Sequence, residues 1–227
     1  MNAILITGTD TGVGKTRFAC LLGRRLAAER ICAFALKPVE SGCPRGPDGT
    51  PFPADAAALR DAIAPGRPLS EICLYPLSSP LSPHLAARMD GVTIDPGRLR
   101  KTVVDAARAC ELLLVEGAGG IAVEICEGYA FADLARDLSL PVLVVAENRL
   151  GVLNHLRLTI RYLQSERLLL AGVVLNDRTG EPFPARESNE DEVRRIAGDR
   201  YLGRVPFGAT SIPQEMFLRF RDVCGAT

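Results

Sequence analysis

The stretch AILITGTDTGVGKT, residues 3–16, decides how this chain folds. It starts as a strand-length apolar run, continues through three glycines, and ends in Lys15-Thr16, where a helical pattern begins. Glycines allow successive backbone N–H groups to turn inward, a helix N-terminus contributes its positive end, and a lysine adds a full charge. The stretch therefore predicts an anion-binding loop between a first strand and a first helix.

The loop departs at one position from the pattern G-x-x-x-x-G-K-[ST], which binds nucleoside triphosphates. That pattern needs glycine at position 9, whereas this chain has Thr9 and carries its glycine one residue earlier, at Gly8. Residues 12–16 (GVGKT) keep the rest of the pattern, and Thr16 places a hydroxyl where Mg²⁺ bridges the terminal phosphates. We therefore expect a site for a magnesium–nucleoside triphosphate complex.

Short apolar runs alternate with segments of helical periodicity along the rest of the chain. The runs are continuous rather than alternating, which is typical of parallel strands buried on both faces. Strands are predicted at residues 3–7, 31–36, 112–116, 142–146, 169–175 and 201–205. Helices are predicted at residues 15–30, 55–63, 96–110, 131–138, 153–165 and 187–197. This order predicts a single α/β domain over residues 1–227, of the P-loop NTPase type, with a mostly parallel sheet and helices on both faces.

Ligands of such sheets bind beyond the carboxyl ends of the strands, and the polar residues of this chain lie there. The buried run LLLVE ends in Glu116 and is followed by glycines, which suits an acid that faces Mg²⁺ beside the phosphate loop. Asp55 has two interpretations, a second magnesium ligand or the N-cap of the helix that follows it. In the first helix, Arg17, Arg24 and Arg25 point away from the apolar face, which favours a solvated position.

Composition argues against several classes of protein. Lysine plus arginine and aspartate plus glutamate both number 27, so the basic surplus of a nucleic-acid-binding protein is missing. The longest apolar runs are strand-length, well short of the roughly 20 residues of a membrane-spanning helix. The opening MNAILITG has neither a basic region nor a cleavage site, so we expect no secretory signal and a cytoplasmic protein without nucleic-acid or membrane partners.

The seven cysteines are scattered without any C-x-x-C pair, which predicts reduced, buried thiols that act as small apolar groups. With His84 and His155 as the two histidines, a histidine-rich metal cluster is excluded. No G-x-S-x-G motif indicates a serine nucleophile.

Six segments together resemble the dethiobiotin synthetase family in order and spacing, over about residues 3 to 208. They are GTDTGVGKT at 8–16, KPVESG at 37–42, SPH at 82–84, VEGAGG at 115–120, LGVLNH at 150–155 and Asn176-Asp177. The resemblance implies a cyclo-ligase of biotin synthesis whose substrates are 7,8-diaminopelargonate, CO₂ and ATP. One amine of the substrate takes up CO₂ as a carbamate, ATP phosphorylates the carbamate, and the second amine closes the cyclic urea.

The resemblance also implies roles for individual residues. Lys15 would bind the β- and γ-phosphates, Lys37 would be the main catalytic residue, and Thr11 and Ser41 would bind the diamine and carbamate. Thr16, Asp55 and Glu116 would be Mg²⁺ ligands. The other residues expected around ATP are Gly12, Val13, Gly14, Arg17, Gly117, Ala118, Gly119, Asn176, Asp177, Val205, Pro206, Phe207 and Gly208.

A further set of residues is expected to bind the distant carboxylate of the substrate. The resemblance implies that the N-terminus of the helix after LGVLNH binds this group across a homodimer interface, and helix N-termini suit carboxylates. Gly151 and Asn154 belong to this segment, and Arg149 beside it would add positive charge or be an ordinary exposed arginine.

Two segments do not follow the family. Glu124 stands where the family commonly has a proline after VEGAGG, which questions the local loop shape. Residues 179–191 match nothing in it, and we predict a variable surface loop leading into a helix. From about Ile212 onward the sequence has no pattern that we can interpret.

Two other functions remain alternatives. A partition- or septum-site-type ATPase switch would carry a second lysine early in the phosphate loop, where this chain has Thr9, Asp10 and Thr11. An amidoligase acting on cobyrinic acid would need a glutaminase domain with a nucleophilic cysteine, for which this chain has neither the length nor a motif.

Overall fold

A computed structural model describes residues 2–181 and 184–224. The strands are β1 Ala3–Gly8, β2 Ala33–Leu36, β3 Val39–Glu40, β4 Tyr75–Pro76, β5 Leu112–Gly120, β6 Glu124–Cys126, β7 Tyr129–Ala130, β8 Val142–Glu147, β9 Leu170–Asn176 and β10 Tyr201–Val205. The helices are α1 Lys15–Ala28, α2 Ala54–Ile63, α3 Leu69–Ile72, α4 Pro83–Asp90, α5 Pro96–Arg108, α6 Phe131–Asp137, α7 Val152–Ser165, α8 Arg186–Ala197 and α9 Gln214–Cys224. A short 3₁₀ turn, Gly198–Arg200, precedes β10.

The main sheet has six strands in the order β10-β9-β8-β1-β5-β2, and every neighbouring pair is parallel. Because all six strands run in one direction, their carboxyl ends meet at one edge of the sheet. The order places β1 centrally, between β8 and β5, so the loop that follows it lies in the middle of that edge. The predicted α/β fold with a mostly parallel sheet is confirmed.

Helices cover both faces of the sheet and form two hydrophobic cores. Successive residues of β1 alternate between them: Ala3 and Leu5 pack into one core, and Ile4 and Ile6 into the other. The first core includes residues of α5, α6, α7 and α8, and the second includes residues of α1, α2 and α9. Burial on both faces explains why the strands are continuously apolar in sequence.

Each strand predicted from an apolar run is present, with ends that shift by a few residues. The first helix ends at Ala28 rather than residue 30, since Arg30 has a positive φ of 62° and cannot continue a right-handed helix. The sequence after Ile212, which has no interpretable pattern, forms α9, whose Met216, Phe217 and Phe220 are buried. The short helices α3 and α4 were not predicted either.

The thiols follow the prediction only in part. Cys20, Cys43 and Cys73 are buried, whereas Cys32 is exposed. The side chain of Cys224, together with Pro182 and Phe183 in the predicted variable loop, lies outside the described residues. Within the described ranges, no helix is both long and apolar enough to cross a membrane.

Candidate active site

The phosphate loop joins β1 to α1 at the centre of the carboxyl edge. A Cβ at Gly8 would lie 2.6 Å from the Asp10 carbonyl oxygen and 2.8 Å from a methyl of Val13, so only glycine fits there. Gly14 has φ 95° and precedes the first residue of α1. The early glycine that departs from the usual pattern is therefore a steric requirement of this turn.

Lys15 is buried at the start of α1, and its Nζ donates to the Asp10 carbonyl oxygen at 3.4 Å. Burial, together with the neighbouring charge of Lys37, lowers the pKa of Lys15 to about 8. The loop therefore holds a cation that is poorly solvated until an anion arrives.

Lys37 follows β2 and lies between two carboxylates. Its Nζ donates to Glu116 Oε1 at 2.6 Å and to Asp55 Oδ2 at 2.7 Å, and Thr16 Oγ1 donates to the same Glu116 oxygen at 2.7 Å. Burial alone would lower the pKa of Lys37, but Glu116 and Asp55 raise it above its ordinary value. Lys37 is thus a protonated cation at neutral pH.

Asp55 does not cap α2. The N-cap position of that helix is Pro53, which offers no side-chain acceptor. Glu40 supplies the cap instead: its Oε1 accepts from the Asp55 N–H and its Oε2 from the Ala56 N–H, both at 2.9 Å. Because Glu40 satisfies these backbone groups, the Asp55 carboxylate is available to Lys37. Asp55 as an N-cap is therefore wrong.

The residues expected to bind Mg²⁺ offer oxygen donors in one place. Glu116 Oε2 is buried without a hydrogen-bond partner in the structure, while its other oxygen contacts Thr16 and Lys37. Within the described residues, no group of three or more histidine, cysteine, aspartate or glutamate side chains could hold a metal. Two carboxylates and one hydroxyl suit Mg²⁺, which keeps several waters, better than an ion that needs a full protein cage.

These groups line one cavity of about 650 Å³. The predicted residues that line it are Thr11, Gly12, Gly14, Lys15, Thr16, Arg17, Lys37, Ser41, Asp55, Glu116, Ala118 and Gly119. The cavity is also lined by residues that the sequence did not predict as site residues, namely Glu40, Gly42, Val123, Arg178 and the segment 80–83. Glu40 belongs to the motif KPVESG and Ser82-Pro83 belong to SPH, so these two motifs are the signal that could have found them.

The residues expected at the purine lie beside this cavity without lining it. Asn176 is 0% exposed, its Nδ2 donates to the Val13 carbonyl oxygen at 2.8 Å, and its Oδ1 accepts from Arg17 at 2.6 Å. Asp177 is buried, and its carboxylate accepts from Arg204 and from Asn148 Nδ2. Contact of either side chain with a base stays a prediction. Arg17, whose direction on α1 indicated a solvated position, donates instead to Asn176 and to the Pro206 carbonyl oxygen. Its expected contact with ATP stays a prediction.

The loop between β8 and α7 holds the residues expected at the distant carboxylate. Gly151 is the N-cap of α7 with φ 91°, and Asn154 is exposed in the first turn. Arg149 is partly exposed, and it contacts the phosphate loop, because its Nη2 lies 2.9 Å from Asp10 Oδ2. Its Nε lies 3.4 Å from Glu147 Oε2. Their role stays a prediction.

Glu124, which replaces the usual proline, is the first residue of β6. Its Oε2 lies 3.6 Å from Nε2 of His84 on α4, so the two side chains bring β6 next to α4. Val123, the residue before it, lines the cavity, so the altered loop still forms a wall of the site.

Comparison with known proteins shows the family of this chain. A family model described as an AAA domain matches residues 2–215. The "ATP-dependent dethiobiotin synthetase" of Anaeromyxobacter sp. strain Fw109-5 is 38% identical over 97% of each chain, and that of Anaeromyxobacter dehalogenans strain 2CP-C is 41% identical over 91% of each. The chain belongs to the dethiobiotin synthetase family.

Solved structures extend the likeness of this dethiobiotin synthetase family member at the level of the fold. The MinD cell division protein of Aquifex aeolicus aligns with a TM-score of 0.58 over 100% of this chain and 98% of that one. A ParA family ATPase from Chlorobium tepidum TLS aligns with a TM-score of 0.56, over 100% of this chain and 94% of the other. Both are 16% identical, so they share the fold alone.

Proposed function

We propose that this chain is an ATP-dependent ligase that carboxylates 7,8-diaminopelargonate and closes the ring of dethiobiotin, a step of biotin biosynthesis. The observation that carries the proposal is the position of Lys37, a buried cation held between Glu116 and Asp55 on the same cavity as Lys15. Membership of the dethiobiotin synthetase family supports it.

The reaction brings two anions together. One amine attacks CO₂ and loses a proton to give a carbamate, and a carbamate oxygen then attacks the γ-phosphorus of ATP and expels ADP. The second amine attacks the carbon of the mixed anhydride, loses a proton and expels phosphate. Fixed positive charge offsets the repulsion between carbamate and triphosphate, and it acts most strongly where water is excluded.

Lys15 and Lys37 supply that charge from two directions. Lys15 opens α1 at the phosphate loop and serves the β- and γ-phosphates, while Lys37 faces the carbamate and the transferring phosphoryl group. The raised pKa of Lys37 keeps it charged throughout. Thr11 and Ser41 line the same cavity and offer hydroxyls to the diamine and the carbamate.

Thr16, Asp55 and Glu116 would hold the magnesium ion, which when bound neutralises charge on the terminal phosphates. The unpartnered Oε2 of Glu116 supports this assignment, because a buried carboxylate oxygen without a hydrogen bond is costly unless a ligand uses it. The base of ATP would lie toward the loops after β9 and β10, which carry Asn176, Asp177 and residues 205–208.

The homodimer belongs to the same proposal. Leu150 is 84% exposed beside Gly151, and Leu158 on α7 is exposed as well, so a second subunit bound at this segment would cover apolar side chains. Arg149, Gly151 and Asn154 would then bind the carboxylate of the diamine across the interface. We further propose that the chain acts as one synthetase domain in the cytoplasm.

The test supplies the purified chain with diaminopelargonate, bicarbonate, Mg²⁺ and ATP. We expect dethiobiotin and ADP in equal amounts, with no ADP when the diamine is left out. ATP hydrolysis that ignores the diamine but responds to DNA or lipid would reject the ligase and favour an ATPase switch. Light scattering of the same sample measures the dimer.

A further inference from the structure

One side chain links the phosphate loop to both loops of the base side. Arg17, directly after Thr16, sends Nη1 to Asn176 Oδ1 at 2.6 Å and to the Asp177 carbonyl oxygen at 3.4 Å. Its Nη2 reaches the carbonyl oxygens of Pro206 at 2.7 Å and Ala209 at 3.4 Å. The first turn of α1 is therefore tied to the segments that follow β9 and β10.

The two partners of Asn176 determine the orientation of its side-chain amide. Arginine can only donate hydrogen bonds and a main-chain carbonyl can only accept them, so the amide oxygen must face Arg17 and the amide nitrogen must face Val13. Gly14 closes over the same group, since a Cβ there would lie 2.2 Å from Asn176 Nδ2. The buried Asn176 side chain thus connects β9 to the phosphate loop, and Arg17 covers it.

The other arginines of α1 make no such link. Arg24 is exposed, and Arg25 contacts Glu29 and Gln214 while its guanidinium lies over the Phe217 ring. Among these arginines, Arg17 alone connects the two loops, because the two terminal nitrogens of its planar guanidinium group donate to acceptors on both. A lysine carries the same charge but has a single nitrogen.

We propose that Arg17 is a positioning residue for the nucleoside half of ATP, which holds residues 176–177 and 206–209 in the arrangement that receives the base. It acts through these two loops and not on the phosphates. The inference rests on the proposed function, because the base of ATP is expected at these loops.

The physical reason is that ordering a loop costs conformational entropy, and Arg17 holds both loops in place before the ligand binds. Without Arg17, one amide oxygen and three carbonyl oxygens lose a charged donor, and the two segments gain freedom that binding must remove. The triphosphate would still find the amides of the phosphate loop and Lys15. Loss of Arg17 is therefore expected to weaken the nucleoside contribution alone.

The experiment compares Mg–ATP with Mg–tripolyphosphate, which lacks the nucleoside, by calorimetric titration of the full chain. Arg17→Gln and Arg17→Lys are expected to weaken ATP binding about tenfold, the effect of losing one hydrogen bond to a charged donor, with tripolyphosphate changed less than about twofold. Arg24→Gln, the matched control on the same helix, is expected to leave both affinities unchanged.

Each other outcome decides against the proposal. Equal weakening of both ligands would make Arg17 a phosphate contact, and unchanged ATP affinity would remove its role. Hydrogen exchange gives an independent measurement: the Ala209 N–H, which donates to Pro206, should exchange faster in Arg17→Lys than in the native chain. Unaltered exchange there would overturn the proposal. Since neither measurement needs the diamine, their failure is distinct from a failure to form dethiobiotin.

Discussion

The site contains two cation–carboxylate groups that differ in their exposure to water. The Lys37 and Glu116 side chains are 5% and 1% exposed, whereas those of Arg149 and Asp10 are 43% and 49% exposed. A buried charge that loses its partner is strongly destabilised, while an exposed pair contributes about 0–1 kcal/mol. We therefore propose that the buried contact supports the chemistry, whereas the exposed contact only adjusts binding.

Of the two groups, loss of the buried cation Lys37 should have the larger effect on the reaction rate. Lys37→Ala is expected to keep ATP binding, which depends on the phosphate loop, and to lower the rate of dethiobiotin formation by at least about a hundredfold, the usual cost of losing a fixed charge at the reacting group. Calorimetry measures the first quantity and the initial rate measures the second.

Two further variants support this measurement. Lys37→Met keeps the volume and should lose as much rate as Lys37→Ala, so the loss follows the charge. Lys101→Met removes an exposed lysine that pairs with Asp105 on α5 and should change neither quantity. Normal turnover of Lys37→Ala would refute the assignment of the catalytic lysine.

A second buried cation, Lys15, can be tested by changing the pH. Because its pKa lies at about 8, the ligand-free lysine is charged below pH 8 and loses its proton above it. A bound triphosphate favours the ammonium form, so binding above pH 8 should take up a proton and weaken by up to about tenfold per pH unit.

Calorimetry in buffers of different ionisation enthalpy measures the uptake directly. Lys15→Arg, which stays charged, should take up none at pH 9. Equal uptake by this variant would assign the proton to another group.

The exposed pair should give the smallest effect. Arg149→Gln is expected to raise the KM for the diamine about threefold and leave kcat unchanged, because a solvated cation contributes little to a group far from the reacting atoms. The difference should disappear at high salt, where exposed charges are screened.

Arg67→Gln, which breaks another exposed pair with Glu71, serves as the control. A large fall in kcat for Arg149→Gln would mean that the exposed and buried groups are not distinct in function.

The sequence predicted the sheet because its strands are apolar without interruption, and it predicted the phosphate loop because glycine and lysine follow the first strand. It did not predict α9, a short helix in which the apolar residues Met216, Phe217 and Phe220 lie among charged ones. These three side chains form one buried face only once the helix packs on the sheet. The helix α4 is eight residues long, too short for a clear period.

Contacts between distant segments set the other limit. Lys37 and Glu116 were predicted individually, but their 2.6 Å contact depends on β2 and β5 being neighbours, which no local pattern encodes. Arg17 shows the same limit: its direction on the helix indicated solvent, and the loops after β9 and β10 cover it only in the folded chain.

The bond from Glu40 to the start of α2 also bears on how this enzyme can change. Residues 41–53 form the loop between β3 and α2, and Glu40 at one end of this loop accepts hydrogen bonds from the start of α2 at the other. Residues 47–50 at the tip of the loop are exposed. Lengthening a loop whose ends are already joined costs little, because the closure entropy grows only slowly with length. The exposed tip at residues 47–50 can therefore accumulate insertions over generations, or accept a reporter peptide in the laboratory, while Asp55 keeps its position beside Lys37.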